Sequence, residues 1–296
     1  MNRKNIIKKI IALSIIIILF IYGNNIDYKY LTNISNQKIT EENEKLKIYF
    51  LDVGQAECFL IKIEDKYILI DAGNNINSNR IVKYFKKNNI KEFEYIIATH
   101  PHEDHIGGMS KIIYNFDTKH FLMPNIKVNI KSYDNLLKAL KKKNIEIETP
   151  KIDAVYNIDN LKLKILFIGN DNENINDSAI IVKIEYKETS YLFTSDASKE
   201  VELKIINKDI KSDVLKIGHH GSQYSSSAQF LKKVNPKYAI ISVGKDNDYN
   251  FPKEITLEKL EKLNIKTYRT DIDKTILVKS DGKNIEVSKI DIDNKY

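Results

Sequence analysis

Cysteine is almost missing from this 296-residue chain: Cys58 stands alone, inside the apolar run ECFLIKI. No disulfide can form within the chain, and a single thiol in that setting reads as a small core residue rather than a nucleophile or ligand. Low-complexity tracts and short-period repeats are absent between residues 47 and 290. With 42% hydrophobic residues the chain can bury a full core, which excludes disorder as the general reading. Excess charge of one sign is also scarce. The formal net charge is +7, but residues 1–26 hold four basic residues and no acid, so the remainder carries only +3. That is weak support for a polyanion track, and Lys86-Lys87, Lys141–Lys143 and Lys232-Lys233 read as solvated helix faces.

A long spanning hydrophobic run is missing too. Ile10 to Tyr22 is strongly apolar for 13 residues, about 20 Å of helix against a bilayer core of about 30 Å. Extending it back to Ile6, with Lys8 and Lys9 snorkelling, brings it near spanning length. Arg3, Lys4, Lys8 and Lys9 form a basic n-region, and no A-x-A-like cleavage site follows. Residues 1–26 are therefore expected to be a signal peptide or an uncleaved membrane anchor, either of which puts the remaining chain outside the cytoplasm. Residues 27–45 lack periodicity and read as a polar linker.

What is present from Lys47 onward is an alternation of strands and helices. KIYFLDV, CFLIKI and KYILIDAG read as an antiparallel opening, followed by a helix over 79–87 and the buried strand YIIATH. LKLKILFIG turns Leu161, Leu163, Ile165 and Phe167 to one face, and AIIVKIEYK with SYLFTSD reads as a hairpin. A second pass then adds helices near 199–206, 227–234 and 254–263 and the strands DVLKIG and YAIISVG. The pattern predicts two packed sheets with helices outside, over 46–290.

Five of the six histidines fall in two clusters, each directly after an apolar strand: His100, His102 and His105 in THPHEDHIGG, and His219-His220 in KIGHHGS. Histidines two apart at a strand end can face one cavity, with Asp104 and His105 offering a carboxylate and an imidazole to a neighbouring position. Such donors suit two metals sharing a site and leave zinc, manganese and iron open.

The THPHEDH run resembles the HxHxDH signature of the metallo-β-lactamase-fold hydrolases. YFLDVGQAECFLI, ILIDAG, NDSAIIVKI, YLFTSDAS and DVLKIGHHGS continue the match in order, in the manner of the soluble domain of ComEC-type DNA-internalisation competence proteins. The resemblance implies an α/β fold, a four-layer αββα sandwich of two mixed sheets. It implies two divalent ions, zinc or manganese: His100 and His102 on the first, Asp104, His105 and His220 on the second, with Asp196 bridging. Between His219 and His220 the spacing does not decide; His220 is taken as ligand and His219 as a catalytic, substrate-facing group, alongside Asp104 and Asp196. Asp71, Asn176, Ser178, Ser222 and Phe251 are expected behind the ligands or against substrate.

Three departures bear on function. Ala56-Glu57 replaces the usual Gly-Asp, Ser195 replaces the glycine of T-G-D, and Asn250-Phe251-Pro252 replaces a glycine-His-Pro at the substrate rim. Asn176-Asp177-Ser178 stands where many relatives carry a third histidine. The expected substrate is nucleic acid or another phosphodiester. The alternatives are a phosphorylcholine ester of the cell envelope, or a metal-stabilised binding module without turnover. Oligomeric state is left open, and a membrane contact is expected only through an uncleaved leader.

Overall fold

The computed structural model describes residues 45–169 and 174–293. The expected leader, and all of the expected linker but Lys45, lie outside the described residues. Among these, no helix is long and apolar enough to cross a membrane.

The first sheet holds β1 (Leu46–Phe50), β2 (Phe59–Ile63), β3 (Lys66–Ile70), β4 (Glu92–Ile97), β5 (Asp117–Leu122) and β6 (Ile147–Glu148), closed by β14 (Thr275–Ser280) and β15 (Ile285–Ile290), in the order β15-β14-β1-β2-β3-β4-β5-β6. The second runs β13-β12-β11-β10-β9-β8-β7. Its strands are β7 (Val155–Ile158), β8 (Leu161–Phe167), β9 (Ile181–Tyr186), β10 (Thr189–Phe193), β11 (Val214–Lys216), β12 (Tyr238–Ile241) and β13 (Lys266–Arg269). Each sheet is mixed. Pairing is antiparallel up to β3 and parallel from β3 through β6 in one, and antiparallel up to β10 and parallel from β10 through β13 in the other.

Three apolar cores separate four layers. Between the sheets lie Ile48, Phe50, Ile61 and Ile70 with Leu163, Val182, Tyr191 and Phe193, and Phe50 stacks on Phe193 at 5.7 Å. Alternate residues of the same strands, Leu60, Leu69 and Ile96, meet helices α1 (Ser78–Lys87), α3 (Met109–Asn115) and α4 (Lys131–Lys143) through Ile81, Phe85, Ile112 and Leu136. The short α2 (Glu103–Ile106) joins this layer. On the far side, Leu192, Leu215 and Ile241 meet α5 (Lys199–Ile205), α6 (Ala228–Val234) and α7 (Glu254–Lys262). A fourth turn, α8 (Thr270–Asp273), precedes β14. Strands buried on both faces cannot alternate apolar with polar, which is why they read as continuous Val/Ile/Leu runs. In α1, Ile81 and Phe85 sit four apart and turn one stripe inward. The architecture is the expected αββα sandwich.

Candidate metal centre

The expected metal ligands, with Asp71 and His219, leave the C-terminal end of a parallel strand or the loop following it. Asp71 follows β3, Thr99 to His105 follow β4, Asp196 follows β10, and His219 and His220 follow β11. Ligands of open α/β sheets gather at such ends. The backbone is forced to bring them together. Asp71, Ser195, His219 and His220 all have φ between 47° and 57°, a left-handed conformation that costs a non-glycine residue about 1–3 kcal/mol and clusters at functional sites. Hydrogen bonds fix it: His219 N–H donates to Ser195 O (3.0 Å) and Gly218 N–H to Ser226 Oγ (3.0 Å). Gly108 lets the α2 turn press onto the end of β3, where a Cβ would stand 2.2 Å from Ala72 O.

Four donor atoms converge. His105 Nε2 lies 3.6 Å from Asp104 Oδ2 and 3.4 Å from Asp196 Oδ2, and His220 Nε2 lies 3.2 and 3.8 Å from the same two oxygens. Ligand atoms about 2.0–2.2 Å from a tetrahedral centre stand about 3.3–3.6 Å apart, so these edges enclose a space the size of a divalent ion. His105 Nε2 is buried without a hydrogen-bond partner, a state that polar atoms avoid unless something else meets them. The donors fit a metal. Beside them His100 Nε2 lies 3.0 Å from His102 Nδ1, and the His100 and His105 rings are 4.0 Å apart. This second pair of nitrogens opens toward solvent at His102, which is only partly buried.

The imidazoles are aimed from behind. Asp71 Oδ2 takes His105 Nδ1 at 2.7 Å and also accepts from the Thr99 hydroxyl (2.7 Å), while its Oδ1 accepts from Thr99 N–H (2.8 Å). His220 Nδ1 donates to Ser242 O at 2.7 Å, and His100 Nδ1 has Ser195 Oγ at 3.2 Å. The acceptors behind His105 and His220 hold those two rings in the tautomer that presents Nε2 to the centre. His220 occupies the ligand-facing position. His219 is partly exposed, its Nε2 3.7 Å from Asp196 Oδ2.

Two residues outside the expected set complete the centre. Glu57, His105, Asp196 and His220 each bring a donor atom within 4.8 Å of one another. Yet Glu57 reaches the Nδ1 edges of His105 and His220, at 3.9 and 3.8 Å, not the Nε2 edges that face Asp104 and Asp196. Its carboxylate is instead in contact with Lys216 Nζ, both side chains being fully buried. Lys216 also donates to Ser195 O (2.8 Å) and stands 3.7 Å from Asp196 Oδ1. Glu57 is thus a support beneath the ligands, and Lys216 leaves Asp196 Oδ2 as the oxygen facing the histidines. The signal for both was in the sequence: a lysine inside the buried strand DVLKIG and an acid before CFLIKI are charges where a core should be.

Electrostatics follow this geometry. Burial alone would raise the carboxyls of Asp104 and Asp196, but His105 and His220 outweigh it and hold both below the ordinary carboxylate range. Burial would lower His105 and His220; Asp196 and Asp104 reverse this and raise both. Burial lowers His100, His102 and His219. The two carboxylates thus favour positive charge on His105 and His220.

The remaining expected residues are placed as follows. Asn176, in the 3-10 turn Ile175–Ser178, interacts with His102. Ser178 is fully buried and donates to Ile175 O at 2.6 Å, which shapes that turn. Ser222 Oγ accepts from Tyr224 N–H at 3.3 Å, a turn-capping contact. Phe251 packs edge-on to the His219 ring at 5.7 Å, at the rim. His120, the sixth histidine, stacks on Tyr95 and hydrogen-bonds Glu148 away from the centre.

The fold and this donor set are those of a metal-centred αββα protein, and residues 51–245 match the metallo-beta-lactamase superfamily. The chain belongs to that family. It is 28% identical over 251 residues to ComE operon protein 3 of Bacillus subtilis, covering 78% of this chain and 32% of that protein. It is 25% identical over 227 residues to Competence protein ComA of Neisseria gonorrhoeae, covering 75% and 30%. The chain thus spans about a third of the length of these curated relatives. Among solved structures, the metallo-beta-lactamase fold protein YhfI from Bacillus subtilis superposes with a TM-score of 0.55 at 10% identity, over 79% of this chain and all of that one. That likeness concerns the fold alone.

Proposed function

We propose that this protein is a dinuclear-metal phosphodiesterase, a nuclease acting on DNA or RNA outside the cytoplasm. The observation that carries the reading is the convergence of Asp104, His105, Asp196 and His220 on one ion-sized space, with His100 and His102 beside it and an accessible edge at His102, Asp104 and His219. Similarity to competence proteins favours a polynucleotide, and the basic leader favours the location.

Two bound divalent ions, zinc or manganese, supply Lewis acidity for a phosphoryl group and acidify water toward neutral pH. The chain's own residues do the rest. Asp71 and the Ser242 carbonyl keep protons on the Nδ1 atoms of His105 and His220, so their Nε2 lone pairs face inward. Lys216 neutralises Glu57 and steadies Asp196. His219, kept neutral by burial, can donate its ring N–H to a phosphate oxygen at the accessible edge.

The test is hydrolysis by the manganese-loaded full chain of single-stranded DNA, duplex DNA, RNA and p-nitrophenyl phosphorylcholine in parallel. The reading expects polynucleotide cleavage that EDTA stops. Cleavage of the choline ester alone would move the substrate to the envelope, and metal uptake without turnover on anything would make the chain a binding module. A C-terminal reporter fusion checks the location; a cytoplasmic signal would overturn it.

A further inference from the structure

Beside the metal centre the chain stacks two aromatic rings, the inner one partly buried and the outer one exposed. Tyr249 is 62% exposed and lies almost parallel to Phe251, with centroids 5.5 Å apart and planes 16° apart. Phe251 in turn meets the His219 ring at 5.7 Å, and His219 reaches Asp196. The order is therefore outer ring, inner ring, substrate-facing imidazole, metal donor.

The rings are presented on a braced loop. Asn247 Oδ1 accepts from Phe251 N–H (3.0 Å) and its Nδ2 donates to Phe251 O (2.8 Å) and Gly244 O (2.9 Å). Lys253 N–H donates to Gly221 O (3.0 Å), tying the loop to the His219-His220 turn. At Gly221 a Cβ would lie 2.4 Å from Pro252, so the two segments are in direct contact. Nothing in this arrangement is a cage for a quaternary ammonium. Two parallel rings in contact leave no room for a cation between them, and Lys253 Nζ already sits 5.4 Å over Phe251. What they offer is one free aromatic face.

We infer that Tyr249 and Phe251 form a stacking subsite for an unpaired nucleobase of a single-stranded polynucleotide whose phosphodiester lies at His219. This rests on the nucleic-acid reading above and narrows it to single strands, since a paired base has no free face to give. Asp246 and Asp248, both exposed, offset Lys245 and Lys253 on the same loop. Stacking rather than charge therefore supplies this contact, and it is tolerant of base identity.

The test uses the manganese-loaded full chain and a short DNA single strand carrying 2-aminopurine, whose fluorescence falls when the base stacks. Mixing is rapid, so binding is read before cleavage. The subsite expects quenching on binding. Tyr249→Leu should abolish the quenching and weaken binding about 5- to 150-fold, the worth of one stacked base, whereas Tyr249→Phe, which keeps the ring, should stay within about twofold of the parent. Because the side chain is largely exposed, a matching melting temperature should separate lost stacking from lost fold. Tyr249→Leu with parental affinity and quenching would overturn the subsite while leaving the nuclease reading intact. A duplex bound as tightly as the single strand would also overturn it. Parent protein that hydrolyses bis(p-nitrophenyl) phosphate but neither binds nor cuts any polynucleotide would overturn both readings together.

Discussion

Replacing Lys216 by methionine removes the ammonium in contact with Glu57 and keeps most of the side-chain volume. Both members of the pair are fully buried, so the carboxylate would be left with only the histidine Nδ1 edges at 3.8 and 3.9 Å. Breaking a buried pair from one side costs about 3–5 kcal/mol, because the desolvation of the surviving charge is no longer offset. Ser195 O also loses its 2.8 Å donor but keeps the His219 N–H at 3.0 Å. The loss is a large fraction of the whole stability of many domains, about 5–15 kcal/mol. The companion Glu57→Met/Lys216→Met double variant removes both charges together and should recover at least about 2 kcal/mol of the loss, since apolar replacement of a whole buried pair is often nearly neutral. The assay is urea unfolding followed by circular dichroism in EDTA, with the four members of the double-mutant cycle compared at pH 7. A coupling energy below about 0.5 kcal/mol, or a Lys216→Met chain as stable as the parent, would refute the reasoning.

Asp71→Asn keeps the shape but replaces the carboxylate oxygen at His105 Nδ1; divalent-metal affinity by calorimetry should fall about 10- to 100-fold, and unchanged affinity would remove Asp71 from the account. Glu202 on α5 accepts from the Ser226 and Ser227 N–H groups under the His219-His220 turn, and burial, only partly countered by those bonds, raises its carboxyl above the ordinary 4.5. A raised carboxyl favours the fold fully below about 4.5 and loses that contribution as pH rises through the folded value. Glu202→Gln should therefore flatten the slope of stability against pH above about 4.5, read from thermal melts in a buffer series, and an unaltered slope would contradict the assignment.

The layers were legible because strands buried on both faces must be apolar throughout, and Leu161, Leu163 and Ile165 land on the inter-sheet core; Phe167, expected on the same face, is turned to the outer core by a bulge after Ile165. The antiparallel opening, the 181–193 hairpin and the three later helices follow the expected pattern within a residue or two. Strands β5 to β7 were not anticipated individually: DTKHFL and VYNI are short and half-exposed, so neither period stands out. The histidine clusters were legible because their spacing is rare outside metal sites. Glu57 and Lys216 stand out as charges in apolar runs, but their pairing was not legible, because it joins the loop before β2 of one sheet to β11 of the other, residues 159 positions apart. The choice between His219 and His220 also needed three dimensions, where Ser242 O fixes one ring and leaves the other at the rim.

The central claim is that this chain works through two ions held by these donors. Elemental analysis of the purified full chain, paired with hydrolysis of bis(p-nitrophenyl) phosphate before and after chelation, tests it most directly. The account expects close to two divalent ions per chain, with both metal content and hydrolysis lost in a His102→Ala/Asp196→Ala double variant. Full hydrolysis by the metal-free chain would contradict it.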